Sequence, residues 1–88
     1  MTTYIVGYDL ISPGKDYKNL IDAIKTYAWW HCLDSTWIIK SEKAATQVRD
    51  HLIQHIDSND RLLVANLGGT AAWFGFDKSC SDWLTNNL

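Results

Sequence analysis

Asp9 closes an apolar run, Thr3-Tyr4-Ile5-Val6-Gly7-Tyr8-Asp9-Leu10, just ahead of the turn residues Pro13 and Gly14. A carboxylate in that place has two uses. As a catalytic and metal-binding group it would offer oxygen to a hard cation such as magnesium, with a second copy of the chain supplying a second acid for phosphodiester chemistry. As a structural group it would accept backbone N–H bonds from residues 12–14 and fasten the loop. No other acid at fixed spacing joins Asp9 within the chain, so the metal role requires two protomers.

Other residues with chemical potential are scattered. Ser12-Pro13-Gly14-Lys15 precedes a helix, where free N–H groups and the macrodipole favour phosphate and Lys15 adds charge, although the stretch lacks the glycine-rich length of a nucleotide loop. A plain strand-to-helix turn is the simpler account. His51 and His55 are four apart on one helix face, but Leu52 follows His51 where a zinc protease would carry glutamate, which leaves a solvated face. His31 and Cys32 are neighbours in a strand-like run and point to opposite faces, so Cys32 reads as packing rather than as an activated thiol.

Five Trp and four Tyr in 88 residues are a heavy aromatic load. Stacking of bases on indoles contributes roughly 1–3 kcal/mol per base and needs little positive charge for a short ligand. Trp30, Trp37 and the intervening Ser35 are therefore candidate ligand-binding residues, with Ser35 or Lys15 touching phosphate. Packing in the core and at a dimer interface is the competing use of the same rings, and one of Trp29 and Trp30 should be more exposed than the other, because neighbours at a helix end cannot face the same way.

The elements that would position these groups follow from patterning. Residues 3–9 form a first strand, and Asp16 can cap a helix whose apolar positions Leu20, Ile21, Ile24, Tyr27 and Ala28 recur at three and four. His31 to Lys40 reads as one long bent strand or two short ones, with a bulge or corner at Asp34-Ser35. Ser41 is the expected N-cap of a second helix with its stripe on Ala45, Val48, Leu52 and Ile56, ended by the polar turn Asp57-Ser58-Asn59-Asp60. Arg61–Leu67 is a strand, and Gly68-Gly69 suggests a hairpin into a further strand over 70–76. Ser79 and Asp82 have a capping-box-like spacing ahead of Trp83, Leu84 and Leu88, a short closing helix.

The order predicts a single α+β domain over residues 1–88: a ferredoxin-like sandwich, an antiparallel sheet with two helices on one face plus a C-terminal hairpin strand and short helix. A bare second face would expose more apolar surface than a monomer usually shows, which points to a homodimer or higher homo-oligomer burying it. A formal net charge of -2 argues against a broad phosphate-binding face. No apolar run is long enough to cross a bilayer. Cys32 and Cys80 are too few and too far apart to read as a metal knuckle or a disulfide framework, and with no signal peptide in view the expected location is a reducing cytoplasm.

Four segments carry a family likeness: Tyr4 to Leu10, the Tyr17 to Tyr27 helix, Leu33 to Lys40 with its Asp34-Ser35-Thr36-Trp37 core, and Ile56 to Val64. In this order they resemble the SinR-like group of small bacterial and phage proteins, which is itself similar to the small CRISPR-associated ferredoxin-like family. The resemblance spans about residues 3–67. It implies a homodimer in which the acid closing the first strand, here Asp9, approaches its symmetry mate, sometimes through a divalent metal. Some members cleave phosphodiesters and others act as scaffolds. The family's Ser-aromatic segment corresponds to Ser35-Thr36-Trp37, while its nucleic-acid-binding arginines have no counterpart. The sequence thus leads to a small homodimeric interaction or nucleotide/oligonucleotide-binding module, non-catalytic, in a phage or mobile-element setting. The alternative is a metal-dependent endoribonuclease with Asp9 pairs holding magnesium across the dimer axis.

Overall fold

The computed structural model describes residues 1–11 and 17–88. Ser12, Lys15, the Pro13-Gly14 turn and the Asp16 cap lie outside the described residues. The elements run β1 (Thr2–Asp9), α1 (Lys18–Ile24), β2 (Ala28–Leu33), β3 (Thr36–Ser41), α2 (Ala45–Ile53), β4 (Arg61–Asn66) and α3 (Lys78–Asn87). The four strands form one antiparallel sheet in the order β2-β3-β1-β4. The chain is thus a small α+β fold in which β1 and β3 are central, and β2 and β4 are the edges.

Alternation along the strands sorts the sheet into two apolar layers. On one face Tyr4 and Val6 of β1 and Trp37 and Ile39 of β3 meet Leu20, Ala23 and Ile24 of α1 and Val48 and Leu52 of α2, forming the main core. On the other face Trp30 of β2 and Ile38 of β3 meet Leu84 of α3, with Cys32, Leu67, Phe76, Cys80, Trp83 and Leu88 around them. Cover for the second face therefore comes from the chain's own C-terminal segment.

Helix α1 is shorter than its apolar stripe suggests. The Thr26 hydroxyl donates to the Ala23 carbonyl at 2.7 Å, competing with helical continuation, and the β-favouring run Tyr27-Ala28-Trp29-Trp30 carries the chain into β2. The segment around Asp34-Ser35 resolves into two strands joined at that pair, with an irregularity in register between Trp30 and Leu33. Ser41 is not the α2 cap. It is a buried residue at the end of β3 whose Oγ accepts from the Lys43 N–H at 3.0 Å, while the helix starts after Ala44, whose N–H donates to Gln47 Oε1 at 2.8 Å.

The hairpin strand expected over 70–76 is absent. Residues 67–77 are neither helix nor strand, and Gly69 and Gly75 take positive φ of 89° and 88°. The topology supplies the reason: β4 is one edge of the sheet, whereas α3 packs on β2 at the other, three strand spacings or about 14 Å away. A hairpin would have left the helix beside β4. Instead the segment crosses the second face and sets Phe76 edge-on against Trp30, with ring centroids 5.1 Å apart. Helix α3 is capped by Asp77, whose carboxylate accepts from the Cys80 N–H at 2.8 Å, and not by Ser79.

Cys32 and Cys80 form a disulfide with Cα atoms 6.4 Å apart. This corrects their reading as separate thiols. Their 48-residue separation gave no sign that α3 would lie across the sheet on the Cys32 side of β2.

Candidate functional site

The residues singled out by sequence fall into two places rather than one. Asp9 is exposed at the end of β1, in register with Arg61 of β4, and both line an open depression of about 300 Å³ with Gly7, Tyr8, Leu62 and Leu63. Ser35 reaches the same end of the sheet, where its backbone carbonyl accepts from the Tyr8 N–H at 3.1 Å. Among the described residues, the Asp9 carboxylate has no hydrogen bond or ion pair, and no three His, Cys, Asp or Glu side chains group as metal ligands.

A different acid does the fastening at this end. Asp60, from the turn before β4, accepts from the Ile11 N–H at 2.9 Å, the Asp57 N–H at 2.8 Å and the Tyr17 hydroxyl at 2.9 Å, linking the chain on either side of the 12–16 segment to the β4 entry. Loss of hydration pushes its pKa up. The N–H groups of Asp57 and Ile11 and the Tyr17 hydroxyl outweigh that push and the repulsion from Asp57, so the carboxyl titrates below its ordinary value.

Trp30 and Trp37 lie on opposite faces of the sheet and are 4% and 1% exposed. Each indole N–H is used within the chain: Trp30 donates to the Cys80 carbonyl at 3.1 Å and Trp37 to the Tyr8 hydroxyl at 2.9 Å. Trp29 is the accessible indole of the adjacent pair, at 42%. The expected contrast with Trp30 is present, but strand alternation causes it rather than a helix end.

Trp29 belongs to an aromatic ledge along the β2 edge on the α1/α2 face. Lys25 holds its ammonium 5.1 Å from the Trp29 ring centroid, a cation–π distance. Trp29 meets Trp37 edge-on with centroids 5.4 Å apart, and His31 stacks on Trp37 at 3.6 Å and 11°. The His31 ring nitrogen Nε2 lies 2.8 Å from the Asp34 carbonyl, which fixes it as the protonated donor. Reading Ala28 as a strand start would have placed Trp29 and His31 together on one face; the helical stripe drawn through Tyr27 and Ala28 hid that.

A third cluster joins α1's exit to α2. The Tyr27 hydroxyl and His51 Nδ1 are 2.6 Å apart, His55 lies edge-on to His51 at 6.0 Å, and the Lys43 ammonium is 5.7 Å from the Tyr27 ring. Burial raises the Tyr27 pKa, and burial followed by the charges of Lys43 and His55 lowers that of His51. The His51 face thus meets the turn that leaves α1 and is not only a solvated surface.

The disulfide removes any free-thiol chemistry for Cys32 beside His31. No helix among the described residues is long and apolar enough to cross a membrane. No protein-family model matches the chain, and no solved structure matches it.

Proposed function

We propose that the protein is a non-catalytic binding module that takes a nucleotide or short single-stranded RNA on the Trp29 ledge. The observation that carries this reading is the accessible Trp29 indole with the Lys25 ammonium over it. A base sliding onto that ring displaces the lysine tip toward the phosphate, so β2 supplies stacking area and the end of α1 supplies charge. The buried Trp37 and the His31 ring stacked on it hold the ledge rigid, which limits the ordering cost of binding.

The proposal includes a ferredoxin-like arrangement and an ancestry shared with the SinR-like group. The element order β1-α1-β2-β3-α2-β4 and the antiparallel strand order β2-β3-β1-β4 support the arrangement, and the ancestry rests on the resemblance of the sequence segments alone. It also includes a homodimer. Edge strand β4 supports that part, because its Leu63 is 62% exposed beside an unpaired backbone edge.

Titration of mono- and oligonucleotides at low salt, followed by Trp emission, tests the ligand reading. Saturable quenching is expected, weakened roughly 5- to 150-fold in Trp29→Ala, the factor corresponding to roughly 1–3 kcal/mol of stacking. Flat curves across all ligands, or undiminished binding by Trp29→Ala, would remove it. Light scattering after size exclusion reads the oligomer.

A further inference from the structure

The Cys32–Cys80 bridge sits at the sheet edge, partly exposed, in a depression of about 160 Å³ lined by Trp29, Trp30, His31, Ser79 and Trp83. A small thiol can therefore reach it without unfolding the chain. Cys80 lies in the first turn of α3, where its N–H donates to the Asp77 carboxylate at 2.8 Å.

The bridge is also the one covalent cross-link on α3. Apart from it, the helix is held by the burial of Leu84, by Trp83 and Leu88 packed around the Trp30 cluster, and by four hydrogen bonds: Trp30 Nε1–H to the Cys80 carbonyl, the Thr3 hydroxyl to the Asn87 carbonyl at 3.3 Å, Lys40 Nζ to Asn87 Oδ1 at 3.3 Å, and Trp73 Nε1–H to the Ser81 hydroxyl at 3.3 Å. Behind it, residues 68–76 make no backbone–backbone hydrogen bond among the described residues, and Gly69 and Gly75 stand at positive φ. Phe74 in that segment is 97% exposed. Such a connection offers little resistance to movement.

We infer that Cys32–Cys80 is a thiol-exchange site for a small dithiol, and that its reduction releases α3 from the second sheet face. One thiolate of the dithiol attacks Sγ of one cysteine of the bridge, forming a mixed disulfide and expelling the other cysteine as its thiolate. The reagent's second thiolate then attacks its own sulfur in that mixed disulfide and expels the first cysteine as its thiolate. The bridge gains two electrons and two protons, and the dithiol leaves as a disulfide. Freed α3 swings out about residues 67–77, uncovering Trp30 and Ile38, while the layer formed by α1 and α2 stays closed.

The test uses the unmodified protein under native conditions. Dithiothreitol is added, cysteines are alkylated and counted by mass, and amide hydrogen exchange is followed by segment. The expected result is two alkylations, with exchange over 78–87 accelerated at least about tenfold more than in β1 and α2, whose amides lose only the global stability that the cross-link supplied. Oxidised glutathione should restore the starting state. Resistance to reduction until denaturant is added, reduction that leaves 78–87 protected, or an equal loss of protection in every element would each overturn the inference.

Discussion

Removing the disulfide should lower the global stability of this domain by about 4 kcal/mol. The perturbation is the double variant Cys32→Ala/Cys80→Ala, compared with the oxidised protein and with the same protein held reduced. The bridged residues are 48 apart. For that span the chain-entropy relation gives about −14 cal/mol/K for the unfolded state, or about 4 kcal/mol at about 25 °C. Against the roughly 5–15 kcal/mol of total stability usual for a domain, this is a large share.

Chemical denaturation monitored by far-ultraviolet circular dichroism gives the difference directly, and thermal unfolding should show a fall of about 15–30 °C. The entropic origin has a signature: the reduced protein and the double variant should agree within about 0.5 kcal/mol, because neither retains the cross-link and only small groups differ. A loss below about 1 kcal/mol would refute the reasoning. It would mean that the unfolded chain already keeps Cys32 and Cys80 close, or that the native state is relieved of an opposing cost when the bridge opens.

Two further predictions concern the titrating groups. Asp60→Asn should lower the urea midpoint at neutral pH, because the depressed carboxyl pKa means that its contribution is present above the ordinary carboxylate pKa and is lost as pH falls through the folded value; an unchanged midpoint would show that the Ile11, Asp57 and Tyr17 contacts contribute nothing. His51 has its pKa lowered in the folded state, so the unfolded chain binds more protons below about pH 6.5 and stability should fall as pH drops through that window. Urea midpoints at a series of pH values should show this slope in the native sequence and a shallower one in His51→Gln; equal slopes would sink the assignment.

The parts of the fold legible in the sequence are those with local causes. β1, α2 and β4 follow from periodicity over short windows, and the polar Asp57-Ser58-Asn59-Asp60 turn follows from its composition. The errors arise where a distant element decides. Residues 70–76 look like a strand because they are aromatic, but they serve to bring Phe76 to Trp30 across the sheet. Tyr27 and Ala28 fit a helical stripe, yet Ala28 is pulled into pairing opposite Lys40. The disulfide was illegible for the same reason, since only the crossing of residues 67–77 brings Cys80 over β2. At the candidate site, Asp9 is correctly placed at a strand end, but the acid that fastens the neighbouring chain is Asp60, which is remote in sequence and adjacent through the pairing of β1 with β4.

The ledge and the bridge share the β2 edge, and strand alternation keeps them independent. Trp29 and Trp30 are sequence neighbours on opposite faces: Trp29 rests on Trp37 and under Lys25, while Trp30 rests on Phe76 and donates to the Cys80 carbonyl. Of the two indoles, release of α3 therefore withdraws support from Trp30, because β2 remains paired to β3 and Trp37 remains locked to Tyr8. Nucleotide affinity measured in the oxidised and the reduced protein should then agree within about twofold, a difference of about 0.4 kcal/mol. Trp emission should meanwhile shift to the red as Trp30 meets water. A tenfold loss of affinity on reduction would mean that the ledge depends on α3, and the division of the β2 edge into two separately acting faces would have to be abandoned.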